Sequence, residues 1–153
     1  MTAVRRSTLA LISGIPEAEI LRPRTQDRWS VNDVLGHLLS CDEETLRRIR
    51  LIERGQGDRI VWFESMAHAD RFNARTVART RRYRLTGLLR RMARVRGELV
   101  EGLQRLPARA LRDPSHAYTL VEWFPTPGWA HERDHTSEVR HWWRARRRGP
   151  RRR

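Results

Sequence analysis

The sequence of 153 residues contains one cysteine, no lysine and no hydrophobic run long enough to cross a membrane. A single cysteine excludes an internal disulfide framework and is typical of a reducing cytoplasm. A membrane-spanning helix needs about 20 consecutive apolar residues. Val and Ile are sparse, and no alternating run between hairpin turns predicts a strand. We therefore expect a cytoplasmic, helical protein that makes no membrane contact and forms one folded domain over residues 1–145.

The charge of the chain is strongly positive and comes entirely from arginine. All 32 basic residues are Arg, and the formal net charge is +14. The last ten residues, RARRRGPRRR, contain seven of these Arg, and we expect residues 146–153 to form a disordered tail. Such a tail can bind nucleic acid nonspecifically and in a salt-dependent way. Because Arg is used throughout the chain, we do not expect nucleic-acid binding to be the main function.

Helical spacing of apolar residues recurs in four segments, at about residues 7–13, 30–54, 70–106 and 127–146. A short helical turn is also expected over residues 17–21. The clearest start is Ser30, which is followed three residues later by Asp33 in a variant of the capping box. Four amphipathic helices in one small domain predict an all-α fold, a four-helix bundle.

Two histidines of the fourth segment, His131 and His135, stand four residues apart. Their directions on a helix differ by only about 40°, so both imidazoles project from one face. Val139 shares this side, which indicates that the pair points inward, where an unpaired polar ring is costly. A shared metal ion would satisfy both rings. The alternative is two partly exposed histidines, one of them bonded to Glu138 or to a backbone carbonyl.

The same segment matches H-E-x-x-H, the zinc protease motif, and His141 stands at the spacing of the third ligand in the longer form. That longer form needs a glycine where this chain has Glu138. If the helix continues, His141 points away from His135, so we do not predict a metalloprotease. Within the motif we expect Glu132 and Asp134 to be solvated charges, the alternative being carboxylates that orient the imidazoles.

A third metal ligand would have to come from another helix, and His37 is the candidate. It lies at the flank of the apolar stripe of the second segment, where a side chain can face a neighbouring helix. The alternative is a boundary histidine bonded to a carboxylate. Cys41 follows four residues later on the same side. We expect it to be a small buried residue, although it could line the site or bind the metal.

Three sequence elements occur together in an order that resembles the DinB-like superfamily. The first is W-[ST]-x-x-[DE]-x-x-x-H-L, from Trp29 to Leu38, followed by the pair Phe72 and Asn73. The others are H-x-x-x-H at residues 131–135 and the terminal segment at residues 139–142. The resemblance covers about residues 7–145. The superfamily includes mycothiol-dependent maleylpyruvate isomerases and bacillithiol transferases, and it is distinct from the DNA polymerase of the same name.

This resemblance implies a four-helix bundle in which His37, His131 and His135 bind one divalent metal ion. Members of the superfamily use zinc, nickel or iron, and imidazole ligands do not select among them. In the thiol-dependent members a low-molecular-weight thiol coordinates the metal and becomes a thiolate nucleophile. The resemblance therefore implies a metal-dependent thiol transferase or isomerase that acts on a small electrophilic substrate.

A second hypothesis is a non-catalytic, stress-related bundle that binds a metal or small ligand and forms a homodimer. Exposed aromatic residues such as Trp62 and Phe63 could form the dimer interface. Phe72 is expected in the core and Asn73 at a helix cap, with a role in a pocket as the alternative. His68 and His116 are expected in surface loops. The prolines of residues 123–128 are expected to shorten the fourth helix or to reshape the entrance to the site.

Overall fold

The computed structural model of the protein describes residues 1–24, 29–113 and 120–148, and of residues 126 and 127 it describes the backbone alone. Over these ranges the chain is helical, and its only β pairing is an isolated bridge between Pro23 and Ser30. The all-α prediction is confirmed. The helices are α1 (Thr2–Ser13), α2 (Glu17–Leu21), α3 (Val31–Glu53), α4 (Met66–Thr80), α5 (Leu85–Arg105), α6 (Leu120–Trp123) and α7 (His131–Arg148).

Helix α3 is the central element, because it contacts α2, α4, α5 and α7. Its start is the predicted one. The backbone N–H of Asp33 donates to Ser30 Oγ, and the backbone N–H of Ser30 donates to Asp33 Oδ2, both at 3.0 Å. This reciprocal capping satisfies backbone donors that a helix end otherwise leaves unpaired. It fixes the point from which α3 carries His37 into the core.

The third predicted segment is two helices, so the prediction of one helix over residues 70–106 is wrong. Helix α4 ends at Thr80, and α5 begins at Leu85 after a turn. Within residues 81–84 only Tyr83 packs against the core, while the three arginines of the turn are exposed. Within the described ranges, the four predicted segments therefore correspond to five helices of twelve residues or more.

Helices α1 and α7 pack against each other and bring the two ends of the domain together. The last helical segment begins near Pro127, as predicted, because a short π-helical turn, Thr126–Ala130, has Pro127 at its start and leads to α7 at His131. The backbone angles of Gly128 within this turn are non-helical (φ −92°, ψ −120°), so a kink separates it from α7. The α-helical part of the segment is thus shortened, which is one of the two outcomes expected from the prolines.

The C-terminal end of α7 extends to Arg148, so residues 146–148 of the predicted tail are helical. Arg146 Nε also forms an ion pair with Glu19 Oε2 at 3.2 Å. Residues 149–153 and His116 lie outside the described residues. Among the helices of the described ranges, none combines the length and the apolar character needed to cross a membrane.

Candidate metal centre

Three histidines from two helices converge at one point of the bundle. His37 lies in α3, and His131 and His135 lie in the first two turns of α7. One ring nitrogen from each lies within 4.8 Å of the others, and the Nε2 atoms of His37 and His131 are 2.7 Å apart. The ring centroids are 4.5 to 5.2 Å apart. The three rings are close enough to hold one metal ion.

The environment of His37 and His131 favours the uncharged imidazole. His37 is only 4% exposed, and His131 is half-buried. Burial, together with the proximity of His131 and His135, lowers the pKa of His37 to about 3. Burial and the proximity of His135 also lower the pKa of His131. At neutral pH the nitrogens of His37 and His131 therefore keep the lone pairs that a metal ligand requires.

The nitrogen spacing fits a metal ion. Four-coordinate zinc with bonds of about 2.0–2.1 Å places its nitrogen ligands about 3.3 Å apart. The observed spacing brackets that value, with one pair at 2.7 Å and all three atoms within 4.8 Å. His135 also pairs through Nδ1 with Glu138 Oε2 at 3.2 Å, which leaves its Nε2 for the cluster. The bond between His135 and Glu138, which the sequence analysis gave as the alternative to metal binding, therefore occurs alongside the histidine cluster.

Trp29 and Cys41 flank the buried member of the cluster. The ring of Trp29 lies 5.0 Å from that of His37, and Cys41 Sγ lies 3.8 Å from His37 Nε2. Burial raises the pKa of Cys41 to about 12, so its thiol is protonated at neutral pH. The group of mutually close ligand atoms comprises the three histidines without this sulfur. Cys41 therefore lies beside the cluster, and lining the site is one of the roles that the sequence analysis considered for it.

Glu132, which lies inside the H-E-x-x-H match, is fully buried, so the expectation of a solvated charge is wrong. It accepts hydrogen bonds from Arg5 Nε at 2.6 Å, Arg96 Nη2 at 2.8 Å and Thr8 Oγ1 at 2.9 Å. Although burial alone raises its pKa, the two Arg side chains outweigh that effect and the pKa of Glu132 is lowered. Its oxygens thus bind the guanidinium groups rather than the imidazoles. Asp134 is exposed, as expected.

Asp42 completes this buried charge network, which we define as Arg5, Asp42, Arg96 and Glu132. Asp42 accepts from Arg5 Nη2 at 2.9 Å and from Arg96 Nη2 at 2.8 Å. The network joins α1, α3, α5 and α7. Sequence reasoning missed it, although Glu132, Thr136 and Val139 share one buried face of α7, and that spacing was visible.

A cavity of about 570 Å³ opens beside His37 and His131. Phe72 and Asn73 line it, so the pocket role considered for them is the correct one; Asn73 lies within α4 and caps no helix. The cavity makes the histidine cluster accessible to a small molecule.

Two other residues, His68 and Trp62, lie where the sequence did not predict them. His68 is in the first turn of α4 rather than in a loop, and its ring lies 5.3 Å from that of Phe63. Trp62 is half-buried against Trp123, at a ring distance of 5.4 Å. His141 is exposed and is not part of the cluster, as expected.

The structure is a helical bundle in which three histidines from two helices come together beside an open cavity and could hold a metal ion. The family model described as DinB superfamily matches residues 1–145. The chain therefore belongs to the DinB superfamily. A search of curated proteins and a search of solved structures gave no significant match.

Proposed function

We propose that His37, His131 and His135 hold one divalent metal ion, and that the protein uses it to activate a low-molecular-weight thiol. The activated thiol would be transferred to a small electrophilic substrate or would serve its isomerisation. One observation carries this proposal: three imidazole nitrogens lie within 4.8 Å of one another beside a cavity of about 570 Å³. Membership of the DinB superfamily supports it.

The donor set suits zinc, nickel or iron, and three protein ligands leave coordination positions open, which is typical of catalytic metal sites. When bound, such an ion lowers the pKa of a coordinated thiol. The protein contributes the positions of the imidazoles. Trp29 packs against His37, and Glu138 orients His135 through Nδ1, so the rings are held before a ligand arrives.

The protein's own thiol is unsuited to be the nucleophile. Burial holds the pKa of Cys41 at about 12, so its thiolate is scarce at neutral pH. An external thiol is therefore the better source of the reacting sulfur. Cys41 instead contributes an apolar, protonated surface beside His37.

A second candidate function is a non-catalytic bundle that binds a metal or small ligand and forms a homodimer. Exposed apolar side chains near the cavity mouth favour it: Val61, Phe63 and Met66 are 60%, 42% and 77% exposed. Such side chains gain free energy when a partner covers them. Nonspecific nucleic-acid binding through the Arg-rich C-terminus is a third activity, independent of the histidines.

The deciding experiment measures the metal content of purified, tag-free protein by mass spectrometry, with His131→Ala beside it. His141→Ala is the matched control, because His141 is an exposed histidine of the same helix. We expect about one divalent ion per chain in the wild type and the control, and loss in His131→Ala. Protein that stays empty after incubation with zinc, nickel and iron would contradict the proposal.

Metal-loaded protein then separates the three activities. Metal-dependent consumption of a thiol in the presence of an electrophile supports the enzyme. Bound metal without turnover, together with a dimer in solution, supports the second candidate. Nucleic-acid binding that disappears when residues 144–153 are deleted assigns that activity to the C-terminal arginines.

A further inference from the structure

The cavity beside the histidine cluster has aromatic walls. Its apolar lining consists of four aromatic side chains together with one Met and one Ala: Trp62, Phe63, Phe72, Trp123, Met66 and Ala69. They come from the segment before α4, from α4 itself and from α6. Aromatic walls bind flat, apolar groups well because the rings offer large faces and edges at low entropic cost.

The aromatic rings of the cavity already contact each other in pairs. The rings of Phe63 and Phe72 lie 5.2 Å apart and tilted, and those of Trp62 and Trp123 lie 5.4 Å apart and edge-on. Centroid distances of about 4.5–7 Å are those of favourable aromatic pairs. A planar ligand in the cavity would pack against aromatic rings that are already positioned before it binds.

The positive charge that lines the cavity is already paired. Arg48 Nε donates to Glu44 Oε1 at 2.9 Å, a carboxylate that it shares with Arg47, and the guanidinium of Arg48 lies 4.6 Å from the ring centre of Trp62. It also lies 5.5 Å from the rings of both Phe63 and Trp123. Arg48 therefore acts as part of the aromatic wall through cation–π contacts.

The other charged residue of the lining, among the residues that the structure describes, is the exposed Glu122. An anion that entered the cavity would lose hydration and would meet a cation that is already paired with Glu44 and lies against three aromatic rings. Such desolvation without a partner is costly. An uncharged ligand avoids this cost.

The cavity also places its occupant next to the proposed reaction centre. His37 and His131 belong to its lining, so a ligand held by the aromatic walls reaches the side of the cluster that is open. The side-chain amide of Asn73 lines the same space and can donate a hydrogen bond to a carbonyl or nitro oxygen. The cavity thus combines an apolar wall, the polar side chain of Asn73 and access to two of the three histidines.

We propose that this cavity binds the second substrate, and that this substrate is an uncharged aromatic or similarly planar, unsaturated electrophile. That this ligand is a substrate rests on the proposed function. The preference for uncharged aromatic ligands is a property of the cavity walls, and it is measurable in the metal-free protein.

The test uses a matched pair of fluorescent probes, N-phenyl-1-naphthylamine, which is uncharged, and 8-anilino-1-naphthalenesulfonate, which adds a sulfonate. Ala69→Trp fills the cavity, and Ala67→Trp is its control, because Ala67 is exposed on the same helix outside the lining. We expect the uncharged probe to bind wild type at one site. Its affinity should fall about tenfold or more in Ala69→Trp and remain unchanged within about twofold in Ala67→Trp.

Equal affinity of the two tryptophan variants for the uncharged probe would overturn the inference. So would tighter cavity binding of the sulfonate, lost in Arg48→Met, because the cavity would then be an anion site. Circular dichroism checks the fold of each variant. If Ala69→Trp does not fold, Phe63→Ser and its exposed neighbour Val61→Ser give the same comparison.

Metal analysis of the same samples separates the two proposals. Cavity-dependent binding of the uncharged probe by protein that takes up no metal would support this inference and contradict the proposed function. Bound metal in protein that shows no binding of the probe would leave the proposed function intact and overturn this inference.

Discussion

On one side of helix α7, the ring nitrogens of His131 and His135 approach that of His37, and His131 also lines the cavity. On the other side, one residue further along, Glu132 is buried deeper and accepts hydrogen bonds from three side chains. Both sides bury polar groups in the same bundle. They differ in how many partners those groups have.

This difference separates a structural site from a binding site. The buried charge network pairs two guanidinium groups with two carboxylates, which joins four helices, and Arg96 Nη1 is its one buried side-chain atom without a hydrogen-bond partner in the described ranges. The histidine cluster instead gathers three ring nitrogens that can bind a metal ion, with His37 Nε2 and His131 Nε2 at hydrogen-bond distance, 2.7 Å, from each other. The same helix therefore fixes its position with Glu132 and presents ligands with His131 and His135.

The largest loss of stability is expected when one partner of the buried charge network is removed. Glu132→Ala leaves Arg5 and Arg96 buried with one carboxylate fewer, and we expect the free energy of unfolding to fall by about 3–5 kcal/mol. Urea denaturation of the metal-free protein measures it. Asp134→Ala is the control: its side chain is 69% exposed, so a change within about 0.5 kcal/mol is expected. Equal effects of both substitutions would contradict the structural role of the network.

Acidification should destabilise the folded protein through His37. His37 has a folded-state pKa of about 3, whereas an unfolded histidine titrates near 6.5. Below pH 6.5 the unfolded chain therefore binds a proton that the folded chain excludes, and stability falls as the pH falls towards 3. One such imidazole contributes a slope of about 1.4 kcal/mol per pH unit.

Thermal denaturation of metal-free protein between pH 7 and pH 4, beside His37→Leu, measures this slope. The variant should lose less stability on acidification than the wild type. Parallel curves for the two proteins would show that His37 does not set the pH dependence.

A smaller effect is expected from the partner of His135. Glu138→Ala removes the carboxylate that binds Nδ1, and we expect the affinity for zinc to fall about tenfold, the lower end for such partners, because Glu138 is 60% exposed. The free energy of unfolding should hardly change. Competition with a chelating dye measures the affinity, and Glu138→Gln, which keeps a hydrogen-bond acceptor, should recover part of it.

The smallest effect is expected from an exposed ion pair of the same helix. Arg146 binds Glu19 at the protein surface, and exposed pairs of this kind contribute little because water and salt screen them. Glu19→Ala should therefore leave the urea midpoint unchanged, in contrast with Glu132→Ala. A large loss of stability would show that burial is not what distinguishes the two pairs.

The sequence predicted the local features well, because their partners are close along the chain. The capping of α3 depends on Ser30 and Asp33, and the shared face of His131 and His135 follows from their spacing. Membership of the DinB superfamily over residues 1–145 was also visible in the order of the motifs.

The sequence could not predict contacts between distant residues. The bond between Arg5 and Glu132 joins positions 127 residues apart, so the spacing of Glu132, Thr136 and Val139 could indicate a buried face of α7 but not the partners that Glu132 finds there. The division between α4 and α5 likewise depends on how both helices pack on α3. His37 was a candidate ligand from its place at the flank of the apolar stripe, but its contact with His131 spans 94 residues, and only the family resemblance implied that the three histidines bind one ion.

The residue before His37 carries a consequence for how the site can change. A Cβ at Gly36 would overlap the buried side chain of Thr80 at the end of α4, so a larger residue here must move α4 away from α3. Helix α4 supplies Phe72 and Asn73 to the cavity wall, while the three histidines lie on α3 and α7. The close contact between Gly36 and Thr80 therefore sets the distance between α3 and α4. A substitution at this contact can change the width of the cavity during evolution without moving the histidine cluster.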